Sequence, residues 1–359
     1  MKHISELSNI LNKYFDWNKA RITCLAEILK GIIAVKTVNL SQIATIFSSK
    51  AQTSSSYRRI QRFFKEFDFN PFIIVHFILT IIPLPRKFLI IMDRTNWKLG
   101  NTHFNLLVFS IAYKGIAIPI YWMNLARGGS SHTDHRIYSI VKIICAIGKK
   151  RISCILADRE FIGKEWFSWL LENKINFAIR IRENMLVSRF SKDRYPIPAA
   201  GLFKYLKTTK RKFLKDPIFL DDLSVYLSAS RSPAGELLIV ATPNFDRKSL
   251  NNYKKRWQIE NLFSCLKSKG FNLEDTHLTE QKKVEKLLFI VVIAFCWAYL
   301  AGIEKNNMKK IPTKTHGRRA QNLFRYGYDI LRKALFQGLQ ELRKYFRLLM
   351  SDRRINVHV

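Results

Sequence analysis

Within the segment YKKRWQIENLFSCLK, Tyr253, Arg256, Glu260 and Lys267 stand at the spacing Y-x2-R-x3-E-x6-K. At about 100° per residue, an unbroken helix sets Tyr253, Glu260 and Lys267 nearly on one line, with Arg256 beside it. One acid flanked by two cations and a phenol suits phosphodiester chemistry: the carboxylate can hold a divalent metal and the cations can grip phosphates. Two further acids, Asp93 in IIMDRTNW and Asp158 in ILADREF, each close a short apolar run. Such a run reads as a buried central strand, so both aspartates are expected at strand ends. Two strand-end aspartates and a helical glutamate can converge at one sheet edge and bind two Mg²⁺ or Mn²⁺ ions, hard cations that prefer carboxylate oxygens. Set about 3.5–4 Å apart, two such ions activate an attacking oxygen and stabilise a leaving one. A strand-end Asp alone more often caps a helix or pairs with a cation; the joint pattern is what points to chemistry.

The elements that must position these acids follow from the hydrophobic period. Residues 1–82 read as all-helical, with a helix over Asn18–Lys30 and another starting near Leu40 with Ser41 as N-cap. After the polar break SSKAQTSSS, Tyr57–Phe67 carries Arg58, Arg62 and Lys65 on one face and Ile60, Phe63, Phe64 and Phe67 on the other. Two short helices around a polar turn, the second one basic, resemble a DNA-binding helix-turn-helix; a plain solvated basic face is the other reading. From Arg86 the period changes. Phe88–Met92, Phe104–Tyr113 and Ile116–Met123 read as strands, Thr133–Ile147 as a helix, Ile152–Ala157 as a strand, Gly163–Asn173 as a helix and Ile175–Ile181 as a strand. Three meandering strands, then parallel additions through helical crossovers, is the order of a ribonuclease-H-like domain.

The fold class expected is therefore α/β: a ribonuclease-H-like mixed-sheet catalytic core with a β-rich insertion and an all-helical N-terminal DNA-binding domain. Its divisions are 1–82 (helical), 83–182 (first part of the core), 183–250 (β-rich basic insertion), 251–303 (second part of the core, with Glu260) and 304–359 (basic helical extension, with a helix over Leu331–Met350).

Lys and Arg number 61 against 27 Asp and Glu, a net charge of +34 over 359 residues. Solubility does not need such a surplus, which repels itself in a compact fold; it implies a polyanionic partner, most commonly nucleic acid. A hydrophobic fraction of 48% excludes a disordered basic tail. The five cysteines, Cys24, Cys145, Cys154, Cys265 and Cys296, show no metal spacing and read as buried, reduced thiols of a cytosolic protein. The opening MKHISELSNILNKYFDW has no apolar core of a signal peptide. Leu287–Ile303 is at the short limit for a membrane span and reads as a buried helix.

On Asp93 in IIMDRTNW, Asp158 in ILADREF and Glu260 within Y-x2-R-x3-E-x6-K, the chain resembles the DDE transposases of the Insertion Sequence Four family, over about residues 88–270. The resemblance implies that Asp93, Asp158 and Glu260 are catalytic metal ligands for two Mg²⁺ (or Mn²⁺) ions. A bound water would cut DNA at the element's end, and the freed 3′-hydroxyl would attack target DNA. Tyr253, Arg256 and Lys267 would contact phosphates and end nucleotides. The N-terminal helices would recognise terminal inverted repeats in double-stranded DNA, and a homodimer would pair two ends. A bacterial, cytoplasmic, nucleoid-associated protein with no membrane partner is implied.

Several neighbours carry two readings. Arg159 contacts a phosphate or pairs with Glu160. Trp257 reads as packing. His132 and His135 read as loop-and-cap residues, with an approach to the scissile phosphate as the other reading, and Ser130, Ser131 and Thr133 as a helix start. The sequence departs from the family in one respect: residues 183–250 hold no Trp to stack a flipped base. Phe190, Tyr195, Phe203, Tyr205 or Tyr226 are the substitutes, since stacking tolerates any flat ring. Two other functions stay open: a nuclease of the same core, and a non-catalytic DNA-binding descendant.

Overall fold

The computed structural model describes residues 2–66, 70, 72–99, 102–125, 131–191, 195–267, 269–315, 317 and 319–350. Phe67 and Ser130 lie outside these. In chain order, five helices come first: α1 (Lys2–Leu11), α2 (Lys19–Val35), α3 (Leu40–Thr45), α4 (Thr53–Glu66) and α5 (Phe72–Ile81). Strands β1 (Phe88–Leu99), β2 (Thr102–Tyr113) and β3 (Ile116–Leu125) follow, then α6 (Thr133–Ile147), β4 (Ile152–Ala157), α7 (Lys164–Glu172) and β5 (Phe177–Ile181). Next are β6 (Leu186–Ser188), β7 (Ile197–Pro198), β8 (Arg211–Phe213), β9 (Ile218–Leu220), β10 (Leu223–Arg231) and β11 (Leu237–Thr242). Helices α8 (Ser249–Lys254), α9 (Gln258–Leu266), α10 (Gln281–Met308), α11 (Leu323–Gln337) and α12 (Leu339–Phe346) complete the chain. They form two compact units: Leu84–Thr95 with Asn105–Leu262, and Met1–Pro83 with Asn96–Phe104 and Phe263–Val359.

The first unit is built on a mixed 11-stranded sheet whose main path runs β3-β2-β1-β4-β5-β11-β10-β9-β6-β7. β1, β4 and β5 pair in parallel, and β5 then pairs antiparallel with β11. The β-rich segment therefore extends the sheet beyond β5. Two expectations are corrected here. β1 does not stop at Asp93: Arg94–Leu99 alternates buried and exposed positions, the period of a half-buried strand, and continues it to Leu99. Cys145 is exposed, on the outer face of α6 where Tyr138 and Val141 are exposed too; the other four thiols are buried.

The second unit is helical. The apolar segment of α10 is hydrophobic all round, as a buried helix must be, and 89% of its most apolar window lies inside the protein. α2, α4, α5 and α11 pack on it. Packing thus groups the N-terminal helices with the C-terminal ones. Lys286, buried on α10, donates to the Phe64 carbonyl at 3.0 Å, which removes the cost of an unpaired buried ammonium. α11 reaches α10 through glycine: a Cβ on Gly327 would collide with the Ala298 carbonyl, and one on Gly302 with that of Leu323. The N-cap of α3 is Asn39, whose Oδ1 accepts from the Ser41 and Gln42 amides, so Ser41 lies inside the helix rather than capping it. The helix expected over Leu331–Met350 starts earlier and breaks at Gly338, whose φ of 110° is open to glycine.

Candidate active site

The parallel register of β1 on β4 ends at Met92 opposite Ala157. The next residues, Asp93 and Asp158, are therefore level on adjacent chains, and side-chain alternation sends both carboxylates to the same face. Asp93 is 8% exposed; its Oδ1 accepts the Arg94 amide at 2.8 Å. Asp158 is half-buried and extended, and its Oδ1 accepts the Arg159 amide at 2.7 Å and the Tyr253 hydroxyl at 3.3 Å.

Glu260 arrives from the helical segment that follows β11. Its start is pinned where the buried hydroxyls of Ser228 on β10 and Ser249 on α8 meet at 2.7 Å. The expected single helix is interrupted: α8 ends at Lys254, Lys255–Trp257 form a 3-10 turn, and α9 begins at Gln258. A 3-10 turn advances about 120° per residue rather than 100°, which alters the projection read from the sequence. Ile259 and Leu262 are fully buried while Glu260 stays exposed. α9 stops at Leu266, so Lys267 lies past the helix; its Nζ donates to the Asn96 carbonyl at 3.2 Å, within the helical unit.

Arg256, on the 3-10 turn, is the centre of the site. Its Nη1 lies 2.6 Å from Asp93 Oδ2 and 3.9 Å from Glu260 Oε1, and its Nη2 lies 3.7 Å from Asp158 Oδ2. One buried guanidinium is shared by three carboxylates. Burial pushes the Asp93 carboxyl up to about 6 even though Arg256 pulls it down. Burial likewise raises the Tyr253 phenol. For Arg256 burial opposes the charge, but Asp93, Tyr253 and Asp158 outweigh it and raise its value.

As a donor set, three carboxylates suit a hard divalent cation, and Asp93 is desolvated with one guanidinium against it. The acids surround Arg256 rather than one another: among the described residues no three His, Cys, Asp or Glu come close enough together to share an ion.

Two supporting residues carried no signal in the sequence. Glu160 pairs with Arg94 at 3.1 Å, linking the residues that follow the two aspartates. This corrects the pairing considered for Arg159, which is exposed. Arg136, 5% exposed, donates Nε to Ser131 Oγ at 2.9 Å and Nη2 to the Ser131 carbonyl at 2.6 Å, and covers the Phe161 ring at 5.3 Å. It braces the turn after Asp158, though in TDHRIYS it looks like any surface arginine.

Trp257 is 65% exposed, not packed, because the turn that buries Arg256 points its neighbour outward. His132 occupies the N-cap position of α6 without a side-chain bond, its ring 5.7 Å from that of His135. Of the aromatic candidates in the β-rich segment, Phe190, Tyr195 and Tyr205 are exposed, Tyr226 is half-buried, and Phe203 is fully buried core and unable to stack on a base. Arg58, Arg62 and Lys65 are exposed on α4 and line a cleft of about 790 Å³ in the helical unit with Tyr57, His277 and Lys283.

On one face of a mixed sheet, in a strongly basic protein, three carboxylates thus share one buried guanidinium. The chain belongs to the family described as Transposase DDE domain, which it matches over residues 85–297, more than half its length and all three acids. It is also similar to the chain in the cryo-EM structure of the piggyBac transposase synaptic complex with hairpin DNA. That match covers 100% of this chain and 84% of the other at 11% identity, with a TM-score of 0.44. No curated protein matches the sequence.

Proposed function

We propose that this protein is a DNA transposase of the Insertion Sequence Four type, with a ribonuclease-H-like core in which Asp93, Asp158 and Glu260 are the metal-binding catalytic acids. One observation carries the reading: the β1–β4 register sets Asp93 and Asp158 level on one face, and Arg256 ties both to Glu260. Bound there, Mg²⁺ or Mn²⁺ would supply Lewis-acid activation of a water or 3′-hydroxyl and neutralise charge on the scissile phosphate. The protein's own part is to hold the acids. Asp93 is oriented by the Arg94 amide, and Asp158 by the Arg159 amide and Tyr253. Arg256 and Tyr253, with exposed Arg159, contact the DNA backbone near the cut, and Lys267 contacts DNA phosphate as well. Arg58, Arg62 and Lys65 bind the element's ends, two subunits pair the ends, and the protein works on the bacterial nucleoid.

Asp158→Asn tests the assignment. It should lower strand cleavage by roughly 10³-fold or more, a loss of several kcal/mol of transition-state stabilisation, while end binding in a gel-shift assay stays near wild type. Wild-type cleavage by this variant would remove Asp158 from the site. Supplying pre-cut end DNA and a target plasmid should yield joined strands; cleaved product alone would assign a nuclease instead.

A further inference from the structure

We propose that Arg256 is an internal cation that competes with divalent metal for the carboxylates of Asp93, Asp158 and Glu260, and that DNA phosphate relieves the competition by drawing the guanidinium away. This rests on the reading of those three acids as metal ligands. The guanidinium reaches all three carboxylates at once, at 2.6, 3.7 and 3.9 Å, from a side chain only 10% exposed. A divalent ion held by the same oxygens would face a unit positive charge a few ångströms away, and at the buried Asp93–Arg256 contact charges interact more strongly than in water. The two cations therefore compete for the same acids.

Two features make Arg256 suited to leaving. Its Nε is buried without a hydrogen-bond partner, so the present position satisfies the group only in part. Its backbone lies in the 3-10 turn between α8 and α9, a kind of mid-helix irregularity that often marks a hinge. A phosphate is the natural alternative partner, since guanidinium forks bind phosphate through paired hydrogen bonds. By linkage, DNA that favours the released arginine must tighten metal binding, and metal must tighten DNA binding by the same factor. Without DNA the acids are neutralised by Arg256 and hold metal only weakly.

Mn²⁺ binding to the full chain, read from the electron paramagnetic resonance signal of free Mn²⁺, tests this without any activity. Arg256→Gln should bind Mn²⁺ at least about tenfold more tightly than wild type in the absence of DNA, with Arg256→Lys close to wild type. A short end duplex should tighten Mn²⁺ binding by wild type and leave Arg256→Gln unchanged, after subtracting ions carried by the duplex itself, measured with Asp158→Asn. Equal Mn²⁺ affinity in wild type and Arg256→Gln, or equal tightening of both by DNA, would overturn the competition. Should Arg256→Gln not fold, the wild-type duplex effect decides: its loss with a neutral methylphosphonate backbone supports the proposal, and its persistence overturns it. The ligand assignment fails separately, if Asp158→Asn leaves Mn²⁺ binding intact.

Discussion

At the scale of single residues, the site stores an electrostatic conflict. Asp93 is buried deeply enough that its carboxyl ionises only near 6, despite Arg256 at 2.6 Å. A carboxyl raised above its unfolded value of 3.8 contributes stability that is complete below that value and is lost as pH climbs through about 6. Asp93→Asn cannot ionise, so in the absence of divalent metal its stability relative to wild type should improve by up to about 3 kcal/mol between pH 4 and 7. Urea titrations across that range measure it; a constant difference would mean that Asp93 is not desolvated. The aspartates were legible in the sequence because each ends an apolar run, a pattern that survives folding. The central place of Arg256 was not, since it depends on a 3-10 turn that no residue between Tyr253 and Glu260 announces. The buried Arg136 and the Arg94–Glu160 pair were illegible too: long-range ion pairs leave no periodic trace. Phe203 and Trp257 exchanged their expected roles, because composition counts aromatics but burial depends on which way a turn faces.

At the scale of elements, the crossing of α10 and α11 is set by missing atoms. Alanine at an ordinary helical position is better than glycine by roughly 0.5–1 kcal/mol. At Gly327 the sign should reverse, because a Cβ there meets the Ala298 backbone carbonyl, which no rotamer change can relieve. Gly327→Ala should therefore lower unfolding free energy by about 1–3 kcal/mol or more, as overpacked cores do. Thermal or chemical denaturation checks it, and any stabilisation would show that the helices are not in such close contact. Helices with a strong period, such as α6, were readable to their ends. Boundaries set by backbone or cap geometry were not: Gly338 splits the last helix, and Asn39 rather than Ser41 caps α3. The sheet was readable up to β5. Its continuation through β11 and β10 was not, because an antiparallel partner added to an edge demands no particular residue at either strand.

At the scale of the whole molecule, a charge of +34 makes counterion release the dominant expectation for DNA binding. With about 6–10 phosphate contacts, affinity for end DNA should fall about 10³–10⁵-fold between 50 and 200 mM salt. If the exposed Arg58, Arg62 and Lys65 each neutralise one phosphate, replacing all three by Ala should flatten the logarithmic salt slope by about 2.7. An unchanged slope by fluorescence anisotropy would leave that basic face merely solvated.

The order in which the helical unit receives its parts has a temporal meaning. The Tyr14 hydroxyl donates to the Leu349 carbonyl at 2.6 Å, and Glu6 pairs with Arg343, so the earliest helices are completed by the latest. While a ribosome makes the residues between Pro83 and Phe263, at about 5–20 residues per second, the nascent α1–α5 wait roughly ten to forty seconds for α10 to cover them. Any copy whose translation stops early lacks the hydrophobic spine on which its basic helices are mounted.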